Sequence, residues 1–104
     1  MPLALLLLAC GTQDDPDVLA VLDLTGDVAA GEAVFEATCG FSSCHGPTGD
    51  DGANGVKFSE HIHHHTDYEL VDFVLNGTGD MPPVGISPQE TADVLAWLRA
   101  TYAH

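Results

Sequence analysis

Two capping boxes set the positions of two helices in the second half of the chain and so limit the folds open to it. The boxes are Thr66-Asp67-Tyr68-Glu69 and Ser87-Pro88-Gln89-Glu90. In such a box, the hydroxyl and the glutamate three positions later each accept from a backbone N–H that the first turn leaves unpaired. Proline at the first helical position loses no hydrogen bond. The first helix is predicted to end at Asn76-Gly77 and the second to run to about Tyr102.

A third helix is predicted to begin after Asp27, whose carboxylate can cap residues Val28 to Ala37. Gly31 and Phe35 are four positions apart and therefore share one face of this helix. A residue without a side chain beside a large aromatic one favours a close crossing with another helix. No stretch of the chain alternates apolar and polar residues as a strand does, so the sequence predicts an all-α domain.

The helix predicted after Asp27 leads into Cys39, and Cys44-His45 follows after the four residues Gly40-Phe41-Ser42-Ser43. Two thiols can add across the two vinyl groups of a haem, and a histidine beside the second attachment point can ligate the iron. The usual spacer has two residues, so this longer one must bulge. Attachment through Cys44 alone stays open, and a disulfide between the cysteines is the main competitor in an oxidising compartment.

Met81 is the candidate for the second axial ligand of such an iron. It lies in the predicted loop Gly79-Asp80-Met81-Pro82-Pro83, where the prolines would stiffen the segment that presents the thioether. A haem would also supply an apolar centre, because a three-helix domain of residues 27–104 is of a size at which a protein core alone is marginal.

These features together resemble a small bacterial class I cytochrome c of the lipoprotein type, with a variant haem motif. The resemblance implies three main helices wrapped around one covalently attached haem c, with no significant sheet. It implies that Gly31 and Phe35 cross against Trp97, and that Cys39 and Cys44 form thioethers while His45 and Met81 ligate the iron. It also maps Val56 onto the position whose backbone carbonyl accepts the imidazole N–H of the histidine ligand.

The function implied is one-electron transfer. Because both axial positions of the iron are filled by protein, no open site is left for a substrate, and we expect a carrier rather than an enzyme. The partners expected are redox proteins.

The first residues predict export and a lipid anchor. Residues 1–9 form a short apolar run that is typical of a lipoprotein signal, and Cys10 stands where the lipidated cysteine would be. The alternative is a soluble secreted protein. Residues 10–26 are then interpreted as a flexible acidic tether whose apolar part docks loosely on a domain of residues 27–104. The protein is expected on the periplasmic side, attached to a bacterial membrane only through this lipid.

The chain is strongly acidic, with a formal net charge of −14 from 16 Asp and Glu against two Lys and Arg. This charge argues against nucleic acid or anionic lipid as a partner of the protein surface. A redox partner with a basic docking surface fits better, and the protein itself is expected to be monomeric.

A histidine tract, His61-Ile62-His63-His64-His65, gives a second hypothesis. Together with Cys39, Cys44 and His45 it could hold copper or zinc in an exported metal-binding module, or one of its members could replace Met81 on an iron. The simpler interpretation is a polar loop that partly offsets the acidic surface. A thiol-disulfide enzyme using the two cysteines is disfavoured, since no sheet of the thioredoxin type is predicted.

Overall fold

A computed structural model describes residues 14–40, 44–46, 49–50, 52–53 and 57–102. These residues contain helices and turns but no strand, which confirms the predicted all-α class. The helices are α1 (Pro16–Leu22), α2 (Val28–Thr38), α3 (Phe58–His61), α4 (Asp67–Asn76) and α5 (Pro88–Tyr102), with a 3-10 turn at Ile62–His64 between α3 and α4. Within these ranges, no helix has the length and apolar character needed to cross a membrane.

The three predicted helices begin where their caps were predicted. Asp27 accepts from the Ala30 N–H at the start of α2. In the box before α4, Thr66 N–H donates to Glu69 Oε1 at 2.8 Å and Glu69 N–H donates back to Thr66 Oγ1 at 3.1 Å. The box before α5 makes the same reciprocal pair of bonds. Gly77 ends α4 with a φ of 77°, a conformation that favours glycine.

The Thr66 N–H also lowers the pKa of the Glu69 carboxyl below its ordinary value. A carboxyl whose pKa is lower in the folded state stabilises the fold above its unfolded pKa. That contribution is lost as the pH falls through the lower, folded value. Glu69 is therefore ionised at neutral pH, when the capping box is intact.

The α2–α5 crossing forms the centre of the fold, as predicted. The rings of Phe35 and Trp97 lie 4.5 Å apart between centroids, and Phe35 is completely buried. Gly31 lies against the main chain of Asp93 and the Cβ of Trp97, so closely that a side chain at position 31 would overlap the Asp93 carbonyl. Glycine is thus required for the two backbones to approach this far.

We expect Gly31→Ala to lower the free energy of unfolding of the holoprotein by about 1–3 kcal/mol, because the added Cβ forces α2 and α5 apart. This loss exceeds the gain of about 1 kcal/mol that alanine brings inside a helix. Gly79→Ala is the matched control, since a Cβ at position 79 meets nothing within 4 Å. Denaturant unfolding of both variants measures the difference, and equal stabilities would contradict the crossing.

Helix α1 corrects the interpretation of residues 10–26 as a flexible tether. Val18 and Val21 are almost fully buried and pack against Val71 of α4 and Ala92 of α5. The Asp15 N–H donates to the Tyr68 hydroxyl at 2.9 Å. The described part of this segment is therefore a packed helix, because it buries two valines one turn apart. The folded unit thus begins before residue 27, while residues 10–13 lie outside the described part.

Helix α3 and the 3-10 turn after it were not predicted. Phe58 and Ile62 anchor them in the core. The Arg99 guanidinium of α5 donates to the carbonyl oxygens of Ile62 at 3.0 Å and His65 at 2.6 Å, and its Nε donates to Asp67 Oδ1 at 2.6 Å. One of the chain's two cationic side chains thus holds the backbone of the histidine tract against the domain.

Candidate functional site

Two adjoining clefts meet at three of the predicted site residues, Cys39, His45 and Met81. About 580 Å³ of space lies in the inner cleft and about 720 Å³ in the outer one, and both clefts are partly open to solvent. The outer cleft also contains Cys44. The structure therefore brings together both cysteines, the histidine and the methionine of the predicted haem site.

The walls of the inner cleft are apolar. Its lining includes Phe35, Phe58, Ile62, Leu70, Phe73, Val74, Val94 and Leu98. None of the described residues that line either cleft is Asp, Glu, Lys or Arg. An apolar space with nitrogen and sulfur ligands at its edge fits a flat macrocycle with a metal at its centre, so the residues present suit a haem.

Helix α2 positions the first cysteine. The helix ends at Thr38, and Cys39 follows as its C-terminal cap, with its N–H donating to the Phe35 carbonyl at 2.8 Å. The His45 N–H then donates to the Cys39 carbonyl at 3.3 Å. Cys39 and His45 therefore lie side by side, which brings His45 back to the end of α2 despite the longer motif.

Burial raises the pKa of the Cys39 thiol, the neighbouring Cys44 raises it further, and a contact of 3.3 Å with the Thr38 hydroxyl opposes the shift. The thiol is not part of a disulfide and stays protonated at neutral pH. A protonated thiol carries both the sulfur and the hydrogen that addition across a vinyl group requires. The chemistry of Cys39 thus suits thioether formation.

His45 is held at the junction of the two clefts by a ring contact and a backbone bond. Its imidazole lies 4.4 Å from the ring of buried Phe58, between centroids. The Gly52 N–H donates to the His45 carbonyl at 3.0 Å. Val56, predicted to accept from this imidazole, and Cys10, predicted to carry lipid, both lie outside the described residues, as do residues 1–9.

The loop that carries Met81 is fastened to the end of α4. The Thr78 N–H donates to the Met81 carbonyl at 2.7 Å, and the Met81 N–H donates to Thr78 Oγ1 at 3.0 Å. Beyond the prolines, the Val84 N–H donates to the Val74 carbonyl at 2.9 Å. Because this loop is tied at both ends, the thioether is presented to the clefts from a defined backbone.

Two histidines of the tract, His61 and His65, line the inner cleft as well. Sequence reasoning favoured a polar loop here, and only the spacing of these two residues, four apart, could have indicated a shared direction. The copper or zinc alternative gains no support. In the part of the chain that the structure describes, no three His, Cys, Asp or Glu side chains are grouped as a metal site.

Comparisons with known proteins identify the family of the chain. The family described as "Cytochrome C oxidase, cbb3-type, subunit III" matches residues 26–98. A protein named "Cytochrome c-553-like" from Synechocystis sp. is 36% identical over 86 residues, which cover 82% of this chain and 79% of the relative. No solved structure matches significantly. The chain therefore belongs to the cytochrome c family, as a small electron carrier with covalently bound haem c.

Proposed function

We propose that this protein is a monohaem carrier of single electrons whose iron is held between His45 and Met81, with thioethers at Cys39 and Cys44. One observation carries the proposal: Cys39, His45 and Met81 line both clefts at their junction, and Cys44 lines the outer one. The apolar inner cleft would hold the macrocycle, and the outer cleft would leave its cysteine-bearing edge open to a partner.

Ligation by one histidine and one thioether sets the range of reduction potential in which such a carrier works. The soft sulfur favours ferrous iron and raises the reduction potential relative to ligation by two histidines. With His45 and Met81 both bound to it, the iron would offer no open site to oxygen or peroxide. The chemistry supported is therefore outer-sphere electron transfer at the exposed edge.

We further propose that the protein is exported and anchored to the membrane through a lipid on Cys10. The apolar run of residues 1–9 and the cysteine that follows it support this proposal. Residues 11–15 would then separate the lipid-bearing Cys10 from α1 (Pro16–Leu22) and would hold the folded unit close to the membrane.

The function is tested by the spectrum of the protein made in a host with haem attachment machinery. We expect sharp c-type bands in the reduced-minus-oxidised spectrum that persist after acid-acetone extraction. In the pyridine haemochrome spectrum, we expect the α band at the position typical of a haem whose two vinyl groups have both formed thioethers. An α band shifted to the red would show a single thioether, with Cys39→Ala then leaving it unchanged. A colourless protein would refute the function.

The charge of the molecule predicts the salt dependence of its electron exchange. The rim of the outer cleft is uncharged, formed in part by Ala37, Pro82 and Val84, on a chain of net charge −14. We expect the rate constant with a cationic ruthenium ammine complex to fall on the order of tenfold between about 0.01 and 1 M salt, because screening removes the attraction. Ferricyanide, an anion, should show the opposite trend. Rate constants that do not change with salt concentration would exclude a basic partner that is guided to this surface by electrostatic attraction.

A further inference from the structure

The haem proposed for the inner cleft carries two carboxylate groups, which need hydrogen-bond donors from the chain. A carboxylate in an apolar cavity is costly unless donors meet it. The chain has a net charge of −14, so cationic side chains that could meet these carboxylates are scarce. Lys57 and Arg99 are the only Lys and Arg, and neither lines the cleft.

His61 and His65 are the polar side chains of the inner cleft that the proposed ligation does not use. His61 is exposed and His65 is half-buried, so the pair lies where the cleft meets solvent. Imidazoles are donors, and imidazolium groups donate from both nitrogens. The chemistry of the cleft thus offers two donors for two carboxylates.

The contacts of His65 favour a role as a donor to one of these carboxylates. Its Nδ1 lies 3.5 Å from Glu69 Oε1, and its ring meets the Phe73 ring edge-on at 5.1 Å. These contacts fix the ring and leave Nε2 for another acceptor. Arg99 holds the His65 carbonyl at 2.6 Å, so the backbone at this point is fixed too.

We propose that His61 and His65 bind the carboxylates of the haem and so raise its reduction potential. The inference rests on the haem binding proposed above. His65 would lie between the Glu69 carboxylate, which faces its Nδ1, and a haem carboxylate, which would accept from its Nε2. Without these donors, the uncompensated carboxylates would stabilise ferric iron. His63 and His64 are exposed, stack on each other at 4.1 Å and do not line the cleft.

The charged and titratable groups around the pair come from four elements. They are Glu60 of α3, His63 and His64 of the 3-10 turn, Asp67 and Glu69 of α4, and Arg99 of α5.

The test compares two double variants of the holoprotein, His61→Asn with His65→Asn, and His63→Asn with His64→Asn. Both change the tract by two imidazoles, so any general effect of charge or folding is shared. We expect the first to shift the equilibrium with a reference redox couple about tenfold towards ferric iron, about 59 mV for a one-electron couple. The shift should be nearly absent in the second variant.

Each outcome decides the proposal. Equal potentials in the first variant and the wild type, or equal shifts in both variants, would overturn it. Loss of the axial ligand signature in the first variant would also overturn it, since one of these histidines would then ligate the iron. Thermal unfolding of both variants shows whether a shift in reduction potential only reflects a loss of stability. Absence of haem from the wild-type protein would instead refute the proposed function, so the two failures are distinguishable.

Discussion

Replacing Met81 by alanine should lower the reduction potential of the holoprotein by on the order of 100 mV and abolish the weak near-infrared band of methionine-ligated ferric haem. The physical reason is the loss of the soft sulfur, which favours ferrous iron. Water or an imidazole would take the vacated position. Voltammetry and the near-infrared spectrum of the oxidised protein measure the two effects.

Pro83→Ala is the matched control, because it alters the same loop and keeps the thioether. Its potential should stay close to that of the wild type, since Met81 retains its bonds to Thr78. An unchanged band in Met81→Ala would mean that the sixth ligand is elsewhere. His65 is then the first candidate because it lines the same cleft, and Met81→Ala combined with His65→Ala would identify it.

The parts of the fold that could be predicted are those with local signals. The starts of α2, α4 and α5 depend on side chains within three residues of each helix start, and these are visible in the sequence. The α2–α5 crossing was implied by the resemblance, and Gly31 and Phe35 are the residues that make it.

Helix α1 was missed although the sequence carries a local signal for it. Asp15 accepts from the Asp17 N–H, and Pro16 stands at the first helical position. The segment is short and acidic, and its stability comes from burying Val18 and Val21 against α4 and α5. Such burial depends on distant residues, so an acidic stretch of this kind resembles a linker when the sequence is considered alone.

The candidate site also combines local and distant signals. Cys39, Cys44, His45 and Met81 were predicted from residue type and spacing, and the structure places them at the two clefts. The cleft-lining positions of His61 and His65 depend instead on Arg99, which lies far along the chain and holds the backbone of the tract. Within the tract, only their spacing of four distinguishes these two histidines from His63 and His64, and the folded chain is needed to show which direction they share.

The largest effect is expected from removing the haem itself. The chain made without haem attachment, or as the double variant Cys39→Ala with Cys44→Ala and free of haem, should lose most of its helical circular dichroism and its cooperative thermal transition. The walls of the inner cleft are apolar, so a chain without haem must either expose this surface to water or keep an unfilled cavity, and both lower its stability. A domain of this size has about 5–15 kcal/mol in total.

The chain without haem cannot easily close the empty cleft, because residues of its wall are also part of the main core. Phe35, Phe58 and Leu70 belong both to the main core cluster and to the wall of the cleft. Closing the cleft would therefore disturb the packing that joins α2 to α5. Cys39→Ala alone is the control, since Cys44 can still hold the haem and keep the cleft filled. The haem-free chain could instead unfold as cooperatively as this control. That result would show that the core does not need the haem, and that α1, α2, α4 and α5 are stable through their own packing.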